Sequence, residues 1–257
     1  MRGIRARSDG LLMDLDSRSW IDWNLLFRGD YEPHLTALWN RLAPQGGVAI
    51  DIGANIGAHT LSLARAVGPG GRVLAFEPNP PVRAAMLHNL SLNGIANVTL
   101  FDCALGSAPG TLPLRVPKST SAEFSNIAIA SLVALDTPHD LVNVEVRTLD
   151  DVLASVDPGR VDAIKIDVNG YEVTTLNGMR ACLERYRPAV VFEYDGWAWE
   201  QAHAQPAEAI ELFQSFGYEV HTIADHAKPG ATPLSRESQL PGFLDLIARH
   251  PAGPRRA

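Results

Sequence analysis

From Val48 onward, short apolar runs alternate with longer stretches of helical periodicity. A chain of that kind can bury its faces in few ways, and the alternation predicts βαβ units around a mostly parallel sheet. The expected strands are 48–52, 73–76, 98–101, 163–166, 189–192, 218–222 and 243–247. Their Val, Ile, Leu and Phe runs are nearly continuous, as strands covered on both faces require. Helices are expected between them at 57–67, 81–93, 149–156, 171–185 and 206–216. Thr148 with Asp151 makes a capping pattern for the third helix, and Asn93-Gly94 reads as the left-handed stop of the second.

Residues 1–45 fall outside this rhythm. They give a short strand at 11–15 and then helices carrying Trp20, Trp23, Phe27, Tyr31 and Trp39. These read as a cap within the same domain, burying its aromatics on the sheet. Residues 46–250 form the α/β body, and 251–257 read as a disordered tail. The body is interrupted at 107–147, which holds Pro109, Pro113, Pro117 and Pro138 and a Ser-rich run at 119–125. A loop this long in a compact domain is usually functional. It reads as a lid, with Phe124 and Asn126 touching the acceptor.

The segment from Val48 to Gly57, Val-Ala-Ile-Asp-Ile-Gly-Ala-Asn-Ile-Gly, is a strand, a glycine turn and a helix start. That is the architecture of a nucleotide-cofactor site. A dinucleotide fingerprint needs glycine at three positions that here hold Gly53, Asn55 and Ala58. Asn55 puts a Cβ where the backbone must approach a pyrophosphate, which disfavours a dinucleotide. The carboxylate of an amino acid still fits the helix N-terminus. Glu77 closes the second strand, 20 residues after Gly57, where a carboxylate can accept both hydroxyls of a ribose. Asp102 closes the third strand, where it could accept from a base's exocyclic amine. Singly, each reads as a cap or loop acid. Together, beside the turn, they fit adenosine joined to an amino acid.

Several motifs then follow in one order. Asp51-Ile-Gly-Ala-Asn-Ile-Gly57, Ala75-Phe-Glu-Pro-Asn79, Asp102-Cys-Ala-Leu-Gly106, Thr148-Leu-Asp-Asp151 and Ile164-Lys-Ile-Asp-Val-Asn-Gly-Tyr-Glu172 resemble those of the FkbM family of S-adenosylmethionine-dependent methyltransferases. Gly29-Asp-Tyr-Glu-Pro33 upstream is similar too, so the resemblance runs over residues 9–195. It implies a Rossmann-like, seven-stranded, mostly parallel sheet with helices on both faces and its last strand antiparallel. It also implies methylation of a hydroxyl on a small natural product or sugar. By the same resemblance Gly53, Asn55 and Gly57 line the methionine part, Glu77 the ribose, and Asp102 with Cys103 the adenine. Asp51 and Tyr31 join that cofactor set. Asn169 departs from the pattern, which usually has an acid there. Asn79-Pro80-Pro81 looks like a motif of base and amide N-methyltransferases. That motif belongs after the fourth strand, and here the prolines read as a helix start.

Methyl transfer from a sulfonium is an in-line displacement, and an alcohol acceptor must also lose a proton. Ligands sit beyond the carboxyl ends of the strands in open α/β sheets. Asp167, ending the fourth strand, is therefore the expected base, with Glu193, ending the fifth, second. The alternative for Asp167 is a cap on the following helix. Trp197 reads as an acceptor wall or, with Trp199, as a loop anchor. His59 lies close to the turn, and His139, His203 and His221 lie near the crevice, but single histidines more often pack than react. Asp167, Glu193 and Asp195 are oxygen ligands that Mg²⁺ would accept, yet nothing in their spacing requires a metal, and none is expected.

A net charge of −7 argues against a nucleic-acid partner, and no apolar run is long enough to span a membrane. Arg2, Arg5 and Arg7 are followed by no apolar stretch, so the opening does not read as a secretory signal. Two cysteines, Cys103 and Cys182, make no disulfide framework and point to a reducing cytoplasm. The expected protein is an O-methyltransferase acting on a small molecule. The alternatives are an N-methyltransferase, a methyltransferase-fold protein acting on a macromolecule, a binding module without transfer and an NAD-type oxidoreductase.

Overall fold

The computed structural model describes residues 3–8, 10–16, 19–118, 130–133 and 138–255. The chain opens with β1 (Ile4–Ser8) and β2 (Leu11–Leu15), then α1 (Trp20–Phe27) and α2 (Pro33–Leu42). The first half of the body is β3 (Val48–Ile52), α3 (Ala58–Val67), β4 (Arg72–Phe76), α4 (Pro80–Leu92) and β5 (Val98–Phe101). A small insertion follows, built from β6 (Ala104–Leu105), β7 (Gly110–Pro117) and β8 (His139–Arg147). The second half is α5 (Leu149–Val156), β9 (Ala163–Ile166), α6 (Glu172–Asn177), α7 (Arg180–Tyr186) and β10 (Ala189–Asp195). It ends with α8 (Gly196–Gln201), α9 (Pro206–Ser215), β11 (Glu219–Thr222) and β12 (Phe243–Arg249).

The expected seven-stranded sheet is present, in the order β11-β12-β10-β9-β3-β4-β5. Only β12 runs antiparallel to its neighbours β10 and β11, and the remaining pairs are parallel. From β3 the chain winds outward to β5, then returns to β9 on the other side of β3. That reversal opens a crevice at the carboxyl ends of β3 and β9. One face of the sheet buries Leu35, Leu38 and Trp39 of α2 with Leu63 and Val67 of α3. The other buries Leu149, Leu176, Leu183 and Phe213 from the helices after the insertion. The cap thus feeds Trp39 into the core, whereas Phe27 stays 66% exposed beside Trp23.

The hairpin at the N-terminus has an edge strand, β2, whose backbone groups need partners. Side chains of α4 and its C-cap supply them: Asn89 Oδ1 accepts from the Asp14 amide, and Asn93, just past the helix, bonds both the amide and the carbonyl of Leu12.

Three expectations about organisation are corrected. The ends of segment 107–147, expected as loop, pair as β7 and β8 over eight residue pairs and bury Leu114, Val144 and Val146 with Ala104. The order β6-β8-β7 leaves β7 on the edge, where the missing N–H of Pro113 is tolerated. The helix expected over 171–185 is broken between α6 and α7. A Cβ on Gly178 would sit 1.9 Å from the carbonyl oxygen of Gly106, so the chain there is shaped by close packing on the insertion. Residues 251–255 of the tail expected to be disordered turn back instead, and the Arg255 amide donates to the Tyr186 carbonyl.

Candidate active site

The carboxyl ends of β3, β4, β9 and β10 open into a cavity of about 620 Å³, roofed by Leu114 of β7 and by Ala130 and Leu132. That volume suits a cofactor-sized ligand. Its first wall is the pair of turns after β3 and β4. Gly53 has φ 78°, and a Cβ there would lie 1.9 Å from the carbonyl oxygen of Asp167, so the closeness of β9 requires glycine. Asn55 also has positive φ, 52°, a conformation asparagine tolerates better than most residues. Its amide donates to Glu77 Oε2 at 2.9 Å, and the Asn79 amide donates to Glu77 Oε1 at 2.8 Å. One carboxylate therefore ties the two turns together. Burial pushes its pKa up to about 7, against the pull of the two amides. Each oxygen keeps a lone pair for a ligand hydroxyl. Cys103 lines the same side, its thiol pushed up to about 11 by burial.

The second wall brings Tyr31 and Glu32, just ahead of α2, to face Asp167, Asn169, Glu193 and Asp195. Lys165, within the apolar run of β9, is 4% exposed and donates to Asp167 Oδ2 at 3.0 Å. Burial opposes its charge, but Asp167, Asp51 and Glu32 outweigh burial and hold its pKa above the ordinary lysine value. Glu193 is driven well above the ordinary glutamate value by burial and by repulsion from Asp167 and Glu172. The Tyr31 hydroxyl is driven up by burial and by Asp167 and Glu32, and stays protonated. Glu32 sits at φ 49° and accepts from His59 Nε2 at 2.8 Å; Trp39 Nε1 donates to His59 Nδ1 at 3.1 Å. Trp39 is a donor only, so Nδ1 must accept and Nε2 carries the hydrogen. His59 is thus a packed residue that orients Glu32.

Behind this wall Glu172 is fully buried and gathers the amides of Val168 and Gly170, which fixes the turn after β9. Burial pushes its pKa to about 7. Asn169, where the family pattern has an acid, donates through Nδ2 to the Ala130 carbonyl, and its own carbonyl accepts from Ser131 Oγ. The amide side chain thereby pins the roof to the turn, a bond a carboxylate could not donate.

Of the expected cofactor residues, Gly53, Asn55, Glu77, Cys103 and Tyr31 meet at the cavity. The rest do not reach its wall. Asp51 is completely buried under the turn, accepting from Thr60 Oγ1. Gly57 starts α3 at φ 93°, against Met86. Asp102 is exposed at the end of β5. Asp167 and Glu193 both line the cavity, and Asp167 pairs with Lys165 rather than capping the next helix. Trp197 is 49% exposed on α8 and off the cavity wall, because Asp195 caps that helix and turns Trp199 into the core instead. His139, His203 and His221 are not among the lining residues. Phe124 and Asn126 lie outside the described residues. No group of three or more His, Cys, Asp or Glu side chains arranged to hold a metal occurs among the described residues. Lys165, Glu32, Glu172 and Asn79 are the site residues that sequence reasoning passed over. Lys165 carried a readable signal: a charge inside a buried apolar strand needs a partner.

A seven-stranded sheet with one reversed strand and a cofactor-sized cavity at its switch point defines a Rossmann-like enzyme of the methyltransferase type. Residues 51–220 match the model of the Methyltransferase FkbM domain, and the chain belongs to that family. It is 28% identical to methyltransferase sdnD of Sordaria araneosa, over 63% of this chain and 70% of that protein. It is also 28% identical to the hexuronic acid methyltransferase AglP of Haloferax volcanii, over 58% of this chain and 56% of that protein. Among solved structures, a candidate rRNA methylase from Clostridium thermocellum superposes with a TM-score of 0.50 at 15% identity, covering 86% of this chain and 96% of that one. That likeness concerns the fold alone. No helix among the described residues is long and apolar enough to cross a membrane.

Proposed function

We propose that this methyltransferase moves a methyl group from S-adenosylmethionine to a hydroxyl of a small molecule, a natural product or a sugar, in a reducing cytoplasm. The observation that carries the reading is one cavity whose first wall presents the Glu77 cradle and whose second presents Asp167 and Glu193. The donor set fits the cofactor. Glu77 has oxygens free to take ribose hydroxyls, Gly53 and Asn55 offer a turn for the methionine part, and Cys103 gives an apolar edge for the base. When bound, the cofactor supplies an electrophilic methyl on sulfur.

The protein's own work is to align the acceptor, exclude water and hold a proton. Asp167 takes the hydroxyl proton on a carboxylate oxygen, and Lys165 keeps that oxygen oriented. Glu193, whose charge is disfavoured by burial, serves to bind the acceptor rather than as a second base. The roof of β7 with Ala130 and Leu132 closes the acceptor side. Similarity to a hexuronic acid methyltransferase favours a carbohydrate-like acceptor, and a net charge of −7 favours a small acceptor over a nucleic acid. The cap and the α/β body act as one domain, since Trp39 is part of the core.

The test is incubation with S-adenosylmethionine carrying a ¹³C methyl and a panel of polyols, glycosides and amines, read by NMR. An oxygen-bound methyl in the product is expected. A nitrogen-bound methyl, or thermal stabilisation by NAD and not by S-adenosylmethionine, overturns the reading.

A further inference from the structure

Asp51 is completely buried near the end of β3 and is not among the residues that line the cavity. Its Oδ2 accepts from Thr60, while Oδ1 is buried without a hydrogen-bond partner and lies 3.9 Å from Lys165 Nζ. On the other side the same ammonium donates to Asp167 Oδ2 at 3.0 Å. An unsatisfied carboxylate oxygen in a dry interior is costly, and an ammonium has three donors to share.

We infer that Lys165 is a buried countercharge shared between Asp167 and Asp51, and that Asp51 is a positioning residue that retains the ammonium when Asp167 becomes protonated. The inference rests on the reading of Asp167 as base. In that step the acceptor O–H bond breaks, its proton goes to Asp167, and the oxygen keeps the electron pair with which it takes the methyl. Asp167 thereby loses its charge and most of its hold on Lys165. Asp51 offers Oδ1 at 3.9 Å, so the lysine need move only within its pocket to keep a carboxylate partner. Without Asp51, protonating Asp167 would leave the ammonium with no carboxylate inside ion-pair distance and only the field of Glu32.

Other ionisable groups face the pair: Tyr31 and Glu32 ahead of α2, Glu172 at the start of α6, Glu193 on β10 and Asp245 on β12. Glu77 faces Asp51 as well, and Glu32 adds to the field on the lysine, but among the described residues only Asp167 and Asp51 lie within ion-pair distance of its ammonium.

The experiment is the pH dependence of turnover in Asp51→Asn and Lys165→Met, with circular dichroism to establish folding. The signs differ. Losing the lysine removes the cation beside Asp167, so the pH of half-maximal turnover rises, by about one unit or more for a buried neighbour. Losing the Asp51 charge leaves Lys165 to Asp167 alone, so that pH falls while the plateau drops about tenfold or more, as expected for a weaker base. Should Lys165→Met not fold, Asp51→Asn still carries the test through its acid shift. As a readout apart from turnover, the ¹⁵N resonance of the Lys165 ammonium should move in Asp51→Asn without cofactor or acceptor. Opposite shifts of the two profiles, with that resonance change, support the inference. Shifts of the same sign, or an unmoved profile in folded Asp51→Asn, overturn it while leaving Asp167 as base. Full turnover in Asp167→Asn overturns both, and that result is distinguishable because it appears in a different variant.

Discussion

The wall made by the turns after β3 and β4 and the wall made by Tyr31, Glu32, Asp167 and Glu193 differ in how their polar groups are satisfied. In the first, Glu77 is held by the amides of Asn55 and Asn79, backbone donors that come with the turns themselves. In the second, the acids are held by side chains: Lys165, two residues earlier on β9, for Asp167, and His59 on α3 for Glu32. The first wall is fixed geometry, suited to a ligand that is the same in every cycle. The second is a set of charges whose balance shifts when a proton moves, as a site of reaction requires.

That contrast breaks most visibly in Asp167→Asn. Turnover is expected to fall about 10²- to 10⁴-fold, the loss of a general base, while affinity for S-adenosylmethionine changes by no more than a few-fold. Single-turnover kinetics beside calorimetry separates the two, and equal losses in both would merge the walls into one function. Glu77→Ala should do the reverse. Cofactor binding weakens by about 1.5–3 kcal/mol, the worth of hydrogen bonds to a charged acceptor, and the melting temperature drops because two turn amides lose their partner. Unchanged cofactor affinity in the folded variant would move the ribose elsewhere.

A smaller effect comes from Glu172. Its folded pKa, raised to about 7 by burial, lies above the ordinary glutamate value. The folded chain therefore holds a proton that the unfolded chain releases, and the stabilisation is full below the ordinary value and lost as pH rises through about 7. Stability should fall on going from pH 5.5 to pH 8, and in Glu172→Gln that fall should shrink by about 2–4 °C in melting temperature, on the order of 1 kcal/mol for a domain of this size. Glu77, shifted the same way, leaves a remainder. A fall undiminished in the variant would mean that Glu172 stays ionised on its amides. The smallest effect is expected for Trp197→Ala, within about 0.5 kcal/mol in stability and without change in acceptor KM, since half the side chain already faces solvent. A clear rise in KM would restore Trp197 to the acceptor wall.

Much of the fold was readable before any coordinates. The strand at 48–52 and those after it fall where continuous apolar runs put them, and the Asp151 amide donates to Thr148 Oγ1 at 3.0 Å, as the capping pattern requires. Gly94 has φ 63°, the left-handed stop read from Asn93-Gly94. The insertion was harder to read because prolines in β7 look like loop, and their tolerance there depends on β7 being an edge strand, a property of pairing with β8. Of the residues expected at the site, Gly53, Asn55, Glu77, Asp167 and Glu193 line the cavity, at the glycine turn and three strand ends that the sequence marked. Asp51 and Asp102, marked by its motifs, do not line the cavity: the fold buries the first and leaves the second exposed.

The sequence by itself determined the alternation of strands and helices, the caps, and the glycine turn with Glu77 after it, because periodicity and turn chemistry act over a few residues of chain. Only the tertiary structure decided which carboxylates share a cation, which glycine is forced by a neighbouring carbonyl, and which aromatics reach the core. Those outcomes depend on groups far apart in sequence: Asp51 and Lys165 meet because β3 and β9 lie side by side. The energy of a buried charge depends on what that neighbour is, not on the residues beside it in the chain.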